Sequence, residues 1–132
     1  MADSKSQTQR PLSPHLQIYR PMLTMTMSIV HRMTGAALYF GTLLLIWWLV
    51  ALATGPSYFA FVQDIAGSFI GRLVLFGYTW ALVHHAIGGI RHLIWDTGRG
   101  FDLDVVEWFA RLNLVGSIAI TIVIWVIGYG VM

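Results

Sequence analysis

MTGAALYFGTLLLIWWLVALA, residues 33–53, is a run of 21 residues without a charge. As a helix rising 1.5 Å per residue it spans roughly 31 Å, about one bilayer hydrocarbon core. That length predicts a membrane-spanning helix, and the pattern before it places the start near Leu23. Thr54-Gly55-Pro56-Ser57 stops the helix, because Gly and Pro break it and Ser favours a turn. A second apolar run covers Leu73–Ile90, bounded by Arg72 and Arg91, and a third covers Leu112–Met132. The expected fold is therefore an all-α membrane protein with three spans, at about 23–53, 68–96 and 108–131. Together they form one domain, 22–132, behind a polar N-terminal segment, 1–21. Tyr58–Ser68 reads as a short amphipathic link, and Asp96–Arg111 as a polar loop leading into the last helix.

Composition agrees with the spans. Of 132 residues, 57% are hydrophobic and 11% charged, about half the charged fraction of a soluble domain. The absence of cysteine excludes disulfides, thiolate metal sites, iron–sulfur clusters and cysteine nucleophiles. The net charge of +2 is scattered and forms no basic stripe of the kind that binds nucleic acid. No phosphate loop, nucleophile–base pair or chelating cluster of a soluble enzyme is present. The N-terminal segment has no apolar core of a signal peptide and too few arginines for a transit peptide. A bacterial plasma membrane is expected, rather than a mitochondrial precursor.

Basic residues orient the spans. Lys5, Arg10, Arg20 and Arg32 flank the first span, and Arg91, Arg99 and Arg111 flank the loop between the second and third. The first link has only Arg72 at its edge. Positive-inside bias then places the N-terminus inside and the C-terminus outside. Ser28, His31 and Arg32 fall at the inner end of span one, and His85, Arg91 and His92 in the inner half of span two. Two polar clusters far apart in sequence thus come to similar depth.

Those clusters carry the candidate chemistry. In His85-Ala-Ile-Gly-Gly-Ile-Arg-His92, His85, Gly89 and His92 share one helical stripe, while His84 shares another with Gly88 and Arg91. Ionisable groups inside a membrane are costly and point to a function. A neutral imidazole beside small residues suits a flat metal macrocycle, which needs a ligand for its iron and room for its face. Spacing alone does not choose between His84 and His85. In Ser28-Ile-Val-His31-Arg32-Met-Thr-Gly35, Ser28, His31 and Arg32 can line one side of the helix. An arginine at the bilayer centre costs about 2.5–3.5 kcal/mol and less near the interface. Its fixed fork of donors suits carboxylates, and a serine hydroxyl suits a quinone oxygen. Trp95 reads as an interface anchor, Asp96 as a solvated helix-end carboxylate, and Met22, Met25, Met27 and Met33 as apolar filler.

Two segments resemble a known family. Arg10-Pro11-Leu12 followed by Ser28-x-x-His31-Arg32-x-Thr34 is similar to the first signature of the cytochrome b membrane-anchor subunits of succinate dehydrogenase, respiratory complex II. His85-x-x-x-Gly89-Ile90-Arg91-His92-Leu93-x-Trp95-Asp96-x-Gly98 is similar to the second. The resemblance implies a subunit packed with a second small anchor subunit, an iron–sulfur subunit and a flavoprotein subunit. It implies one haem b shared with the second anchor, with His85 as the axial ligand of the iron. Ser28 and Arg32 would contribute to a ubiquinone site, and His31 and Arg32 would lie by the haem propionates. No catalytic residue is expected here, because the dicarboxylate chemistry belongs to the partner chains. The rival readings are an anchor of a fumarate reductase and a haem-free scaffold or proton-relay subunit.

Overall fold

The computed structural model describes residues 20–131. The Arg10-Pro11-Leu12 motif and most of the polar segment 1–21 lie outside the described residues. Four helices follow in order: α1 (Leu23–Thr54), α2 (Pro56–Gly67), α3 (Phe69–Asp96) and α4 (Leu103–Gly130). The described residues contain no strand. Helices α1, α3 and α4 have 32, 28 and 28 residues and are long and apolar enough to cross a membrane. At about 1.5 Å per residue each exceeds the hydrocarbon thickness, so the ends reach the headgroup layers.

Packing is by small and polar residues rather than large apolar ones. The buried positions of α1 are Met27, Thr34, Gly41 and Ala51. Those of α3 are Ala81, His84, Gly88 and Arg91. Those of α4 are Ala110, Asn113, Ser117 and Thr121. Leu43, Phe69, Val115 and Val126 are more than half exposed and face outward. Lipid tails are as apolar as leucine, so leucine gains nothing from leaving them. Close backbone approach and interhelical hydrogen bonds hold such helices together. Gly41 illustrates the approach: a Cβ there would collide with the Tyr78 ring from α3.

Two expectations about the connections change. The first link is itself a helix, α2, entered through Gly55 at φ +135° with Pro56 at its first position. It folds back on α1 through hydrogen bonds from Trp47 Nε1 to Tyr58 Oη (2.9 Å) and from Trp48 Nε1 to Gln63 Oε1 (3.0 Å). Interhelical bonds of this kind average about 0.6 kcal/mol in membranes. Ser68 then caps α3 by accepting from the Gly71 amide at 3.1 Å.

The loop expected from Asp96 to Arg111 is shorter, because α4 already begins at Leu103. Asp104 sits in its first turn, where a carboxylate meets the positive end of the helix dipole. Glu107 and Arg111 pair at i, i+4 with 2.6 Å between them. Charges that read as loop are thus the solvated first turns of a helix. Trp95 is more than an interface anchor. Its Nε1 donates to the Gly100 carbonyl at 3.0 Å, its ring stacks on Phe101, and it closes the α3–α4 turn.

Candidate functional site

The α1–α3 seam holds a cluster of imidazoles. The His31 and His85 rings lie parallel, with centroids 4.0 Å apart and 5° between planes. The His92 ring stands 5.3 Å from His31. The clusters expected at similar depth are thus in contact. Two glycines make this possible. A Cβ on Gly35 would lie 2.9 Å from His85 Cε1, and one on Gly88 would lie 2.4 Å from His31 Nδ1. Each helix therefore offers a glycine to the other's histidine.

The hydrogen bonds of His85 define its tautomer. Its Nδ1 is 3.1 Å from the His31 carbonyl oxygen and 3.3 Å from Thr34 Oγ1. The Thr34 hydroxyl itself donates to the same carbonyl at 2.9 Å. A carbonyl only accepts, so His85 Nδ1 carries the proton and donates. In the neutral ring Nε2 then keeps its lone pair, and it has no hydrogen-bond partner among the described residues. His85 is half-buried. One turn along its stripe, a Cβ on Gly89 would meet nothing within 4 Å. A part-exposed imidazole with Nδ1 tied to a backbone carbonyl is the arrangement an axial haem ligand requires.

His84 faces the other way and is fully enclosed. Its Nδ1 is 3.1 Å from Ser117 Oγ, and the Ser117 hydroxyl donates to the Leu114 carbonyl at 3.0 Å. That oxygen therefore accepts the His84 proton. The ring also lies 5.1 Å from Trp80. No ligand outside the chain can reach this imidazole.

Ser28, His31 and Arg32 do not share one side as expected. Ser28 and Arg32 are exposed, while His31 turns into the α1–α3 seam. His31 and Arg32 are about 100° apart around the helix, and Ser28 lies between them. Packing against Gly88 selects the edge that carries His31. Ser28 and Arg32 then form a separate outward-facing pair of hydroxyl and guanidinium. Arg91, which sequence read as the end of the apolar run, is 6% exposed and covers the Trp95 ring at 4.9 Å. His92 is exposed and stands edge-on to Trp95.

Two residues of this region escaped the sequence reading, Asn113 and Ser117, and Thr34 stood in the first signature without a role. Asn113, Ser117 and Thr121 recur every four residues in an otherwise apolar span. That row is a legible signal that one face of α4 packs against protein rather than lipid. Among the described residues no group of three or more His, Cys, Asp or Glu side chains could hold a bare metal ion. A haem iron asks only one imidazole of a helix, so the two observations are compatible.

Known proteins resemble this sequence. Residues 6–126 match the family described as succinate dehydrogenase/fumarate reductase transmembrane subunit. The succinate dehydrogenase cytochrome b556 subunit of Paracoccus denitrificans is 41% identical over 113 residues, 86% of this chain and 87% of that one. The subunit of the same name from Rickettsia conorii is 39% identical over 118 residues, 89% of this chain and 92% of that one. The mitochondrial cytochrome b560 subunit of Sus scrofa is 40% identical over 100 residues, 73% of this chain and 58% of its own length. With a matched family spanning nearly the whole chain and three helices able to cross a bilayer, this protein belongs to the succinate dehydrogenase/fumarate reductase transmembrane subunits.

Proposed function

We propose that this chain is the cytochrome b anchor of a succinate:ubiquinone oxidoreductase in a bacterial plasma membrane. It carries haem b on His85, shares it with a second small anchor subunit, and helps form the quinone-reduction site. The observation that carries the reading is the fixed tautomer of His85: Nδ1 tied to the His31 carbonyl and Thr34, Nε2 free. When bound, the haem supplies a one-electron centre whose potential responds to its ligands, burial and hydrogen bonds.

The chain's own residues do the remaining work. Thr34 and the His31 carbonyl orient the His85 ring and raise its basicity. His31 covers one face of that ring, and with Arg32 it would meet the propionates. Ser28 and Arg32 point out of the bundle, where a quinone held between this chain and its partners can meet them. Quinone reduction places negative charge on the carbonyl oxygens, and a hydroxyl and a guanidinium stabilise it as it develops. Positive-inside bias puts this end of the helices inside, with the N-terminus inside and the C-terminus outside. There an iron–sulfur subunit and a flavoprotein subunit would dock and carry out the dicarboxylate chemistry. The relatives are named as succinate dehydrogenase subunits, which favours succinate oxidation over fumarate reduction.

The test is to isolate the assembled complex in mild detergent. Expected are a b-type haem band in the reduced-minus-oxidised spectrum and three co-purifying chains. A complex active with quinone but free of haem would overturn the ligand assignment.

A further inference from the structure

Gly88 sits where three helices meet. His31 Nδ1 of α1 and Asn113 Nδ2 of α4 lie 2.4 and 3.3 Å from the point that a Cβ on Gly88 would occupy. Among the described residues neither nitrogen has a hydrogen-bond partner, and neither does Asn113 Oδ1. Asn113 is 1% exposed. The surrounding helices are the chain's own, so lipid and a second subunit are both shut out. One turn away on either side of Gly88, His84 Nε2 and Arg91 Nε are enclosed and unpartnered too. Polar groups in this position in a membrane require partners.

The chemistry of Asn113 selects the occupant. Its NH2 needs an acceptor and its carbonyl needs a donor. Turning the amide over leaves the same two demands. A cation cannot serve the NH2, and an anion cannot serve the carbonyl. A water molecule serves both and still has a bond left for His31 Nδ1.

We infer that an internal water, enclosed by this chain alone, bridges Asn113 of α4 and His31 of α1 over Gly88. With no side chain on Gly88, the His31 ring and the Asn113 amide approach closely enough for one water to reach both. Through this water α4, which places no side chain in the imidazole stack, holds the ring of His31 and hence the partner of His85. The inference stands whether or not His85 carries iron.

A high-resolution cryo-electron-microscopy map of the assembled complex in nanodiscs tests it, with nitrogen-15 solid-state NMR on the same sample. The expected result is a density peak within hydrogen-bond distance of both His31 Nδ1 and the Asn113 amide. Magnetisation should also pass from water to the Asn113 side chain. Asn113→Leu should shift the His31 Nδ1 resonance, and Asn113→Ser should restore it in part. A direct Asn113–His31 bond with no density between them would overturn the inference, as would a His31 resonance unmoved by Asn113→Leu. Should Asn113→Leu fail to assemble, the map and spectrum of the unsubstituted complex decide alone. Haem content is read on that sample, so a missing haem would count against the His85 assignment and not against the water.

Discussion

The α3–α4 seam and the α1–α3 seam run along the same helix, yet they treat neighbouring imidazoles in opposite ways. On the first, His84 is walled in by α4, and Ser117 accepts its proton. On the second, His85 is half open, and a backbone carbonyl accepts the hydrogen bond from its Nδ1. Both rings donate through Nδ1, so that bond does not separate them. Enclosure does: His84 is fully buried, and His85 is partly exposed. A rotation of about 100° along a helix is enough to divide a structural histidine from one available to a cofactor.

The largest effect should come from breaking the open seam. On the proposed assignment, His85→Ala should strip almost all haem from the assembled complex, because the iron would lose a direct ligand. His84→Ala should leave the b-type band in place. Reduced-minus-oxidised spectra of the two variants check the ranking, and the reverse order would refute it.

Arg32→Ala tests the outward side of α1, away from both seams. Quinone reduction is expected to fall about a hundredfold, the usual scale for removing a donor to developing negative charge. Succinate oxidation by a soluble dye should be unchanged. Unimpaired quinone turnover would reject a role for this guanidinium.

Next comes Gly35→Val. Its new side chain would meet His85 Cε1, which already lies 2.9 Å from the position of a Cβ. Overpacking of this kind costs about 1–3 kcal/mol. It should appear as a lower melting temperature of the complex together with a shifted haem band. The smallest change should follow Ser117→Ala in the closed seam. It strands the His84 donor in a buried site, at about 1–3 kcal/mol where nothing relaxes, and the lower end of that range is expected here. Thermal stability should fall while the haem spectrum stays put. A spectral shift as large as that of Gly35→Val would mean that the two seams are coupled.

Much of this was legible in the chain itself. Uninterrupted apolar runs bounded by Arg72, Arg91 and Gly55-Pro56 predict the long helices to within a few residues. The exception is the start of α4, where Asp104 and Glu107 looked like loop because charged first turns share the composition of loops. The meeting of His31 with the His85–His92 stretch also followed from depth alone. Ser28 and Arg32 could not be separated from His31 by spacing, since three residues within one turn can face either way until a neighbour is packed. That the buried Asn113 lies near His31 was invisible, because the approach of α4 to α1 leaves no local mark in either.

By itself, the sequence determined that this protein lies in a membrane as helices, and which turn of each helix carries polar chemistry. Hydrophobic length and period are properties of consecutive residues, and they need no partner. Only the tertiary structure decided which imidazole is enclosed and which is open, which face of α1 turns inward, and which nitrogen of His85 holds its proton. Those depend on glycines and small residues of one helix lying opposite large rings of another, a matching that exists only once the helices have packed.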